Sequence, residues 1–198
     1  MAHQTITDFI NNFGGGIRPN RFRVTGKLGN TDNTEMTDKQ GTFHIRSASL
    51  PASSVGAVAI NYRGRTVNFP GDRTYAPWDI VILDENPNET KTGKTLFKAF
   101  HEWSNIINDH VNNTTTKTNP VQHFTDNLGT GASNTWTVEL LDVNGITAIR
   151  RFKLYNCWPV AVGALQLDMG QDNTVASFAV RLVFSHMEYV QDSTLPTN

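Results

Sequence analysis

Alternation of apolar and polar positions dominates this chain. In the run Val175 to Tyr189, Ala176, Phe178, Val180, Leu182, Phe184 and His186 interleave with Ser177, Ala179, Arg181, Val183 and Ser185, the period of a strand with one face on an apolar core. The pattern predicts one strand of about fourteen residues, where five or six is usual, and such a length points to a large sheet or barrel. Its other face is polar but nearly uncharged.

Shorter alternating runs precede it. Arg21 to Thr25 sets Phe22 and Val24 against Arg21 and Arg23, and Gly41 to Arg46 reads as a second strand pairing back on the first across a long polar hairpin loop at 27–40. Pro51 ends that strand, because proline lacks the ladder N–H. Val55 to Ile60 is a small apolar run, Tyr62 to Phe69 alternates, Pro70-Gly71 predicts a turn, and Asp72 to Pro77 a charged elbow before a central strand over Trp78 to Asp84. Leu96, Phe100, Trp103, Ile107 and Val111 recur at spacings of four, three, four and four, one apolar stripe on a helix that should cover an end or face of the β-structure. Asn112 to Gly131 reads as exposed loop. Asn144-Gly145 predicts a hairpin joining Trp136–Leu141 to Ala148–Leu154. At the start, Thr7 to Phe13 predicts one or two helical turns with Phe9, Ile10 and Phe13 on one side, followed by a glycine hinge at Gly14 to Gly16. Beyond Val190 the tail looks frayed.

At 198 residues the chain suits one domain that needs no covalent staple, and its lone Cys157 can form no internal disulfide. The formal net charge of -1 is a poor footprint for a protein that grips nucleic acid. The arginines beside Phe22 and Val24 therefore read as a solvated strand face in preference to a polyanion contact. No basic, apolar leader and no apolar run of membrane length is evident, so the expectation is a soluble protein made in a cytoplasm, with no membrane partner. In that setting the sequons at Asn88 and Asn112 are chance matches.

The familiar catalytic motifs are incomplete in this chain. Gly93-Lys94-Thr95 ends like a phosphate loop, but Asn88 stands where the first glycine is needed. His101-Glu102 begins like a zinc-protease helix, but Asn105 holds the position of the second histidine. Cys157, next to Trp158, reads as a buried structural thiol, and no nucleophile elbow is present. No catalytic residue, metal site or cofactor is expected. Sheet, long polar loops and loosely tethered ends are the profile of an assembling protein.

Four segments in order, Arg18-Pro19-Asn20-Arg21-Phe22, Ala48-Ser49-Leu50-Pro51, Gly71 to Trp78, and Trp158 to Asp168, together with Phe100-His101-Glu102-Trp103, make the chain resemble the tail tube proteins of contractile-tailed, T4-like bacteriophages. The resemblance spans about Arg18 to Tyr189. It departs at His186-Met187-Glu188-Tyr189, where an aromatic-rich ending is usual, and in the Asn/Thr-rich loop after the helix.

The resemblance implies a mainly β subunit of sandwich or barrel type, with one flanking amphipathic helix and a barrel completed across a hexameric ring. It implies a single tail tube domain over 1–198, with an N-terminal arm at 1–17, an inter-ring loop at 27–40 and a C-terminal tail at 190–198. Rings would stack into a conduit for viral DNA, inside a virion assembled in the host cytoplasm. The partners would be the chain itself, the sheath, the baseplate and the tail terminator. On this reading the residues facing the lumen are Arg21, Arg23, His44, Arg46, Ser177, Ala179, Arg181, Val183 and Ser185. Phe9, Ile10, Phe13, Asn30, Asp32, Glu35 and Met36 make the inter-ring contacts. A DNA conduit has no obvious use for the arginines, so either they pair with carboxylates or some of these faces are not the bore. The tube of a related injection device that delivers protein, and a β-sandwich glycan-binding module, are the alternatives.

Overall fold

The computed structural model describes residues 6–13, 16–26, 28, 44–86, 95–115, 134–170 and 172–190. Over them the chain runs α1 (Ile6–Phe13), β1 (Phe22–Gly26), β2 (Ile45–Ala48), β3 (Ser53–Tyr62), β4 (Arg65–Tyr75), β5 (Trp78–Leu83), α2 (Leu96–Ile107), β6 (Trp136–Leu141), β7 (Ala148–Tyr155), β8 (Trp158–Val162), β9 (Ser177–Val183) and β10 (His186–Val190). The protein is mainly β. Two four-stranded antiparallel sheets, in orders β1-β6-β7-β10 and β2-β5-β9-β8, enclose one core, while among the described residues β3 and β4 pair only with each other.

Alternation decides which face is buried. In the second sheet Trp78, Ile80 and Ile82 lie opposite Leu182, Val180 and Phe178, and all six are essentially inaccessible. The first sheet presents Val24, Trp136, Val138 and Leu154 to the same core. Burying each large aliphatic side chain contributes about 1.5–3 kcal/mol relative to leaving it in water. Aromatic rings hold the centre: Trp78 meets Trp136 edge-on at 5.9 Å, and Phe97 meets Phe178 edge-on at 5.1 Å, geometries favoured by the ring quadrupole. Gly26 is confined to glycine by this packing, since a Cβ there would sit 2.2 Å from the Trp136 indole.

Thr95 caps α2 by accepting the Lys98 amide at 3.3 Å. Phe100 and Trp103 are buried beneath the helix, which packs beside β8, but Val111 lies beyond its last turn and is 87% exposed. The Asn144 turn forms as expected: Asn144 Oδ1 accepts the amides of Ile146 and Thr147, and Gly145 takes φ +71°.

Several expectations are corrected. The run Val175 to Tyr189 is two strands in different sheets. Phe184 is the last residue of the first burial phase, whereas in β10 the residue packed against the core is Met187, paired with Leu154, and Tyr189 beside Phe152 is half exposed. The phase flips at Ser185-His186, where the Ser185 amide donates to the Tyr155 carbonyl at 3.0 Å and turns the chain across the sandwich.

The strand containing Phe22 and Val24 pairs with β6, and the strand containing Ile45 pairs with β5. The connection between them thus crosses from one sheet to the other and does not close a hairpin; most of 27–40 lies outside the described residues. Pro70-Gly71 is no turn but part of β4, beside a register shift between Val55 and Ala57, and Asp72 to Tyr75 continue that strand. The turn is Arg63-Gly64, both at positive φ (50° and 80°), the mirror-image geometry that suits strand twist.

Candidate assembly surfaces

The β3–β4 hairpin is the least buried large element. Its strands are ten and eleven residues long, and exposure is high along nearly their whole length. Val58 lies opposite Phe69, Ile60 opposite Val67 and Tyr62 opposite Arg65, so one face is an apolar stripe. Val58, Ile60, Tyr62, Val67 and Phe69 are 45–63% exposed. A two-stranded ribbon is marginal in water unless something covers it. The hairpin leaves the second sheet between β2 and β5, which are themselves paired, so it is an excursion from one sheet edge.

Helix α1 is similarly uncovered. Ile6, Phe9, Ile10 and Phe13 are 58–80% exposed, Phe9 and Phe13 stack at 5.1 Å, and the Gly16 amide, at positive φ, bonds back to the Phe13 carbonyl. Eight residues are too few for a helix to persist on its own. Open edges add to this surface: among the described residues β1 and β10 bound the first sheet and β2 and β8 the second. Unpaired edges invite another chain.

The residues expected to face a lumen fall into two groups. Arg23 lies on the outer face of the first sheet. Its Nε donates to Glu139 Oε2 at 2.6 Å, while Arg151 Nε donates to Glu139 Oε1 at 2.5 Å, a rung across β1, β6 and β7 in register. Arg21 precedes β1, and its carbonyl accepts the Leu141 amide at 2.9 Å.

Ser177, Ala179, Arg181 and Val183 lie on the opposite outer face, that of the second sheet, where Arg181 stands between Asp79 and Ala161 and Ala179 beside Val81. Arg181 grips Asp79 with two donors, at 2.7 and 3.1 Å. The hydrogen bond from Arg181, more than its charge at a distance, holds the Asp79 carboxyl below its ordinary value of 3.8. Arg46 is exposed on edge strand β2, His44 lies 3.5 Å from Glu85, and Ser185 sits in the crossover with its Oγ 2.9 Å from His186 Nδ1. The nine residues therefore do not share one face. Asn30, Asp32, Glu35 and Met36 lie outside the described residues.

Sequence reasoning missed the hairpin as a surface, and it missed Glu139 and Asp79 as the partners of the arginines. The Tyr62-Arg63-Gly64-Arg65 segment between two apolar stretches was the available signal for the hairpin. Cys157 is buried behind Leu154, and burial pushes its thiol up to about 12. No group of His, Cys, Asp or Glu able to hold a metal occurs among the described residues, and no described helix is long and apolar enough to cross a membrane.

A two-sheet sandwich with open edges, a naked hairpin and an uncovered terminal helix is a subunit shaped for association. The phage tail tube protein model matches residues 10–191, and the chain belongs to that family. It is 23% identical over 171 residues to tail tube protein gp19 of Enterobacteria phage T4, covering 86% of this chain and 90% of that one. It is 25% identical over 170 residues to the tail tube protein of Serratia phage KSP90, covering 85% and 86%. In fold it is similar to a chain of the sheath-tube complex of an extracellular contractile injection system, PVC, in its extended state, with a TM-score of 0.55, 14% identity and coverage of 96% and 100%. Family membership makes this a structural protein and not an enzyme.

Proposed function

We propose that this chain builds the inner tube of a contractile phage tail, with six copies closing into a ring and rings stacking into a conduit for DNA ejection. One observation carries the reading: among the described residues the fold buries a core yet leaves an apolar hairpin, a terminal helix and four strand edges uncovered. Pairing across copies covers all of them. Similarity in fold to chains of a sheath-tube complex, a sheath/tube terminator and a baseplate supports sheath, terminator and baseplate as partners, and the location is the virion tail.

The outer face of the second sheet suits the bore. It offers Val81, Ala161, Ser177, Ala179 and Val183, with the charges of Asp79 and Arg181 locked together. DNA meets few unpaired cations on such a surface and gains little by sticking to it. The outer face of the first sheet, with Arg23, Glu139, Arg151, Lys153 and Glu188, then looks away from the bore. A tube that passes protein is the second reading, favoured by the fold match alone.

Replacing residues 53–74 by a short linker tests the proposal, because β2 and β5 stay paired and Tyr75 keeps its place against the core. The shortened chain should fold and remain monomeric under conditions in which the full chain sediments as large assemblies. Equal assembly by both chains would refute the role of the hairpin.

A further inference from the structure

We propose that the two uncovered apolar elements cover one another between copies, with α1 of one subunit docked on the apolar face of the β3–β4 hairpin of a second. The inference rests on the tube reading and names the contact that would propagate it.

The surfaces match in chemistry and size. Ile6, Phe9, Ile10 and Phe13 form a side of α1 that spans about 10 Å at 1.5 Å per residue. Val58, Ile60 and Tyr62, flanked by Val67 and Phe69, form a stripe of about 13 Å at 3.3 Å per residue. A helix laid along a two-stranded ribbon covers both strands at once, and the ribbon in turn shields the helix. Neither element is stable alone.

Symmetry selects this occupant over a second hairpin. Two hairpins packed face to face make an isologous contact, which is saturated once two copies have met. A helix on a hairpin is heterologous: each subunit still has one free helix or one free hairpin to offer, so the contact repeats beyond two copies, in a ring or along a stack. A tube needs contacts of the second kind.

The test mixes subunits carrying Ile10→Cys with subunits carrying Ile60→Cys, assembles them and adds a short bismaleimide. The native Cys157 is buried and stays silent. Covalent heterodimers in the mixture, with none when either variant is assembled alone, are expected. Tubes that form normally yet give no heterodimer overturn the pairing, as does cross-linking by either variant alone.

A double-mutant cycle gives a second readout. Ile10→Ala and Ile60→Ala should each raise the critical assembly concentration about tenfold, and the pair together by about thirtyfold or less, because both remove one contact. A combined rise of about a hundredfold means the sites act independently and overturns the inference. Failure of the unaltered chain to form tubes refutes the tube reading itself.

Discussion

Glu139 anchors the outer face of the first sheet, and its replacement by glutamine has a size that follows from the geometry. The carboxylate is 7% exposed and holds two guanidinium groups, those of Arg23 (39% exposed) and Arg151 (29%), one on each oxygen. Glutamine keeps the shape but removes the negative charge: its one carbonyl oxygen can accept from one guanidinium only, more weakly than a carboxylate, its amide nitrogen cannot accept from the other, and the anion between the two cations is lost. Each bond to a charged partner contributes about 1.5–3 kcal/mol. Because water reaches both arginines, roughly half of that sum survives, so Glu139→Gln should cost about 1.5–3 kcal/mol.

With a urea dependence of about 2 kcal/mol per molar, the midpoint should fall by about 0.8–1.5 M at unchanged slope. The assay is urea unfolding followed by tryptophan fluorescence, at concentrations where the subunit is monomeric. Adding Arg151→Met to Glu139→Gln should recover part of the loss by removing the repulsion. A drop of less than about 0.3 M, or no recovery in the double variant, would refute the claim that this rung holds three strands together.

Phe178→Ala should destabilise the subunit by about 3–5 kcal/mol, since the ring fills the space beneath Phe97 and Phe100. Ala179→Ile, one residue along on the outer face, should leave the unfolding midpoint unchanged and alter only assembled tubes; comparable loss of stability in both would contradict the facing. Cys157 should ignore a thiol reagent at pH 8 in the native protein and react once it is unfolded. Asp79 is held below its ordinary 3.8 by Arg181, so the pair persists as pH falls past that value and its small contribution disappears only as pH drops through the folded-state pKa. A carboxyl NMR titration of wild type and Arg181→Gln should show the midpoint rise in the variant; identical midpoints would refute the coupling.

Much of the fold was legible because a strand over a core writes its period into the chain. The facing of Phe22 and Val24, the helix stripe through Phe100 and Trp103, and the Asn144-Gly145 hairpin follow from neighbours within a few residues. Choice of partner strand does not. Arg23 and Glu139 are 116 positions apart, and nothing local states that β1 pairs with β6 and not with the strand after it. The break at Ser185 was present as a change of phase, from Phe184 to Met187, but alternation counted over the whole run hides a single flip. Pro70-Gly71 misled for a physical reason: a hairpin with no third strand tolerates proline, and the pair served a register shift. The left-handed turn at Arg63-Gly64 escaped notice because arginine is an uncommon first residue there.

The central claim is that the exposed hairpin, α1 and the strand edges are interfaces between copies. Electron cryo-microscopy of the purified full-length chain after assembly tests it most directly. The account predicts stacked rings in which residues 53–75 are buried by neighbouring copies and the face bearing Asp79 and Arg181 lines the bore. Rings with that hairpin free in solvent, or a protein that stays monomeric at every concentration, would contradict it.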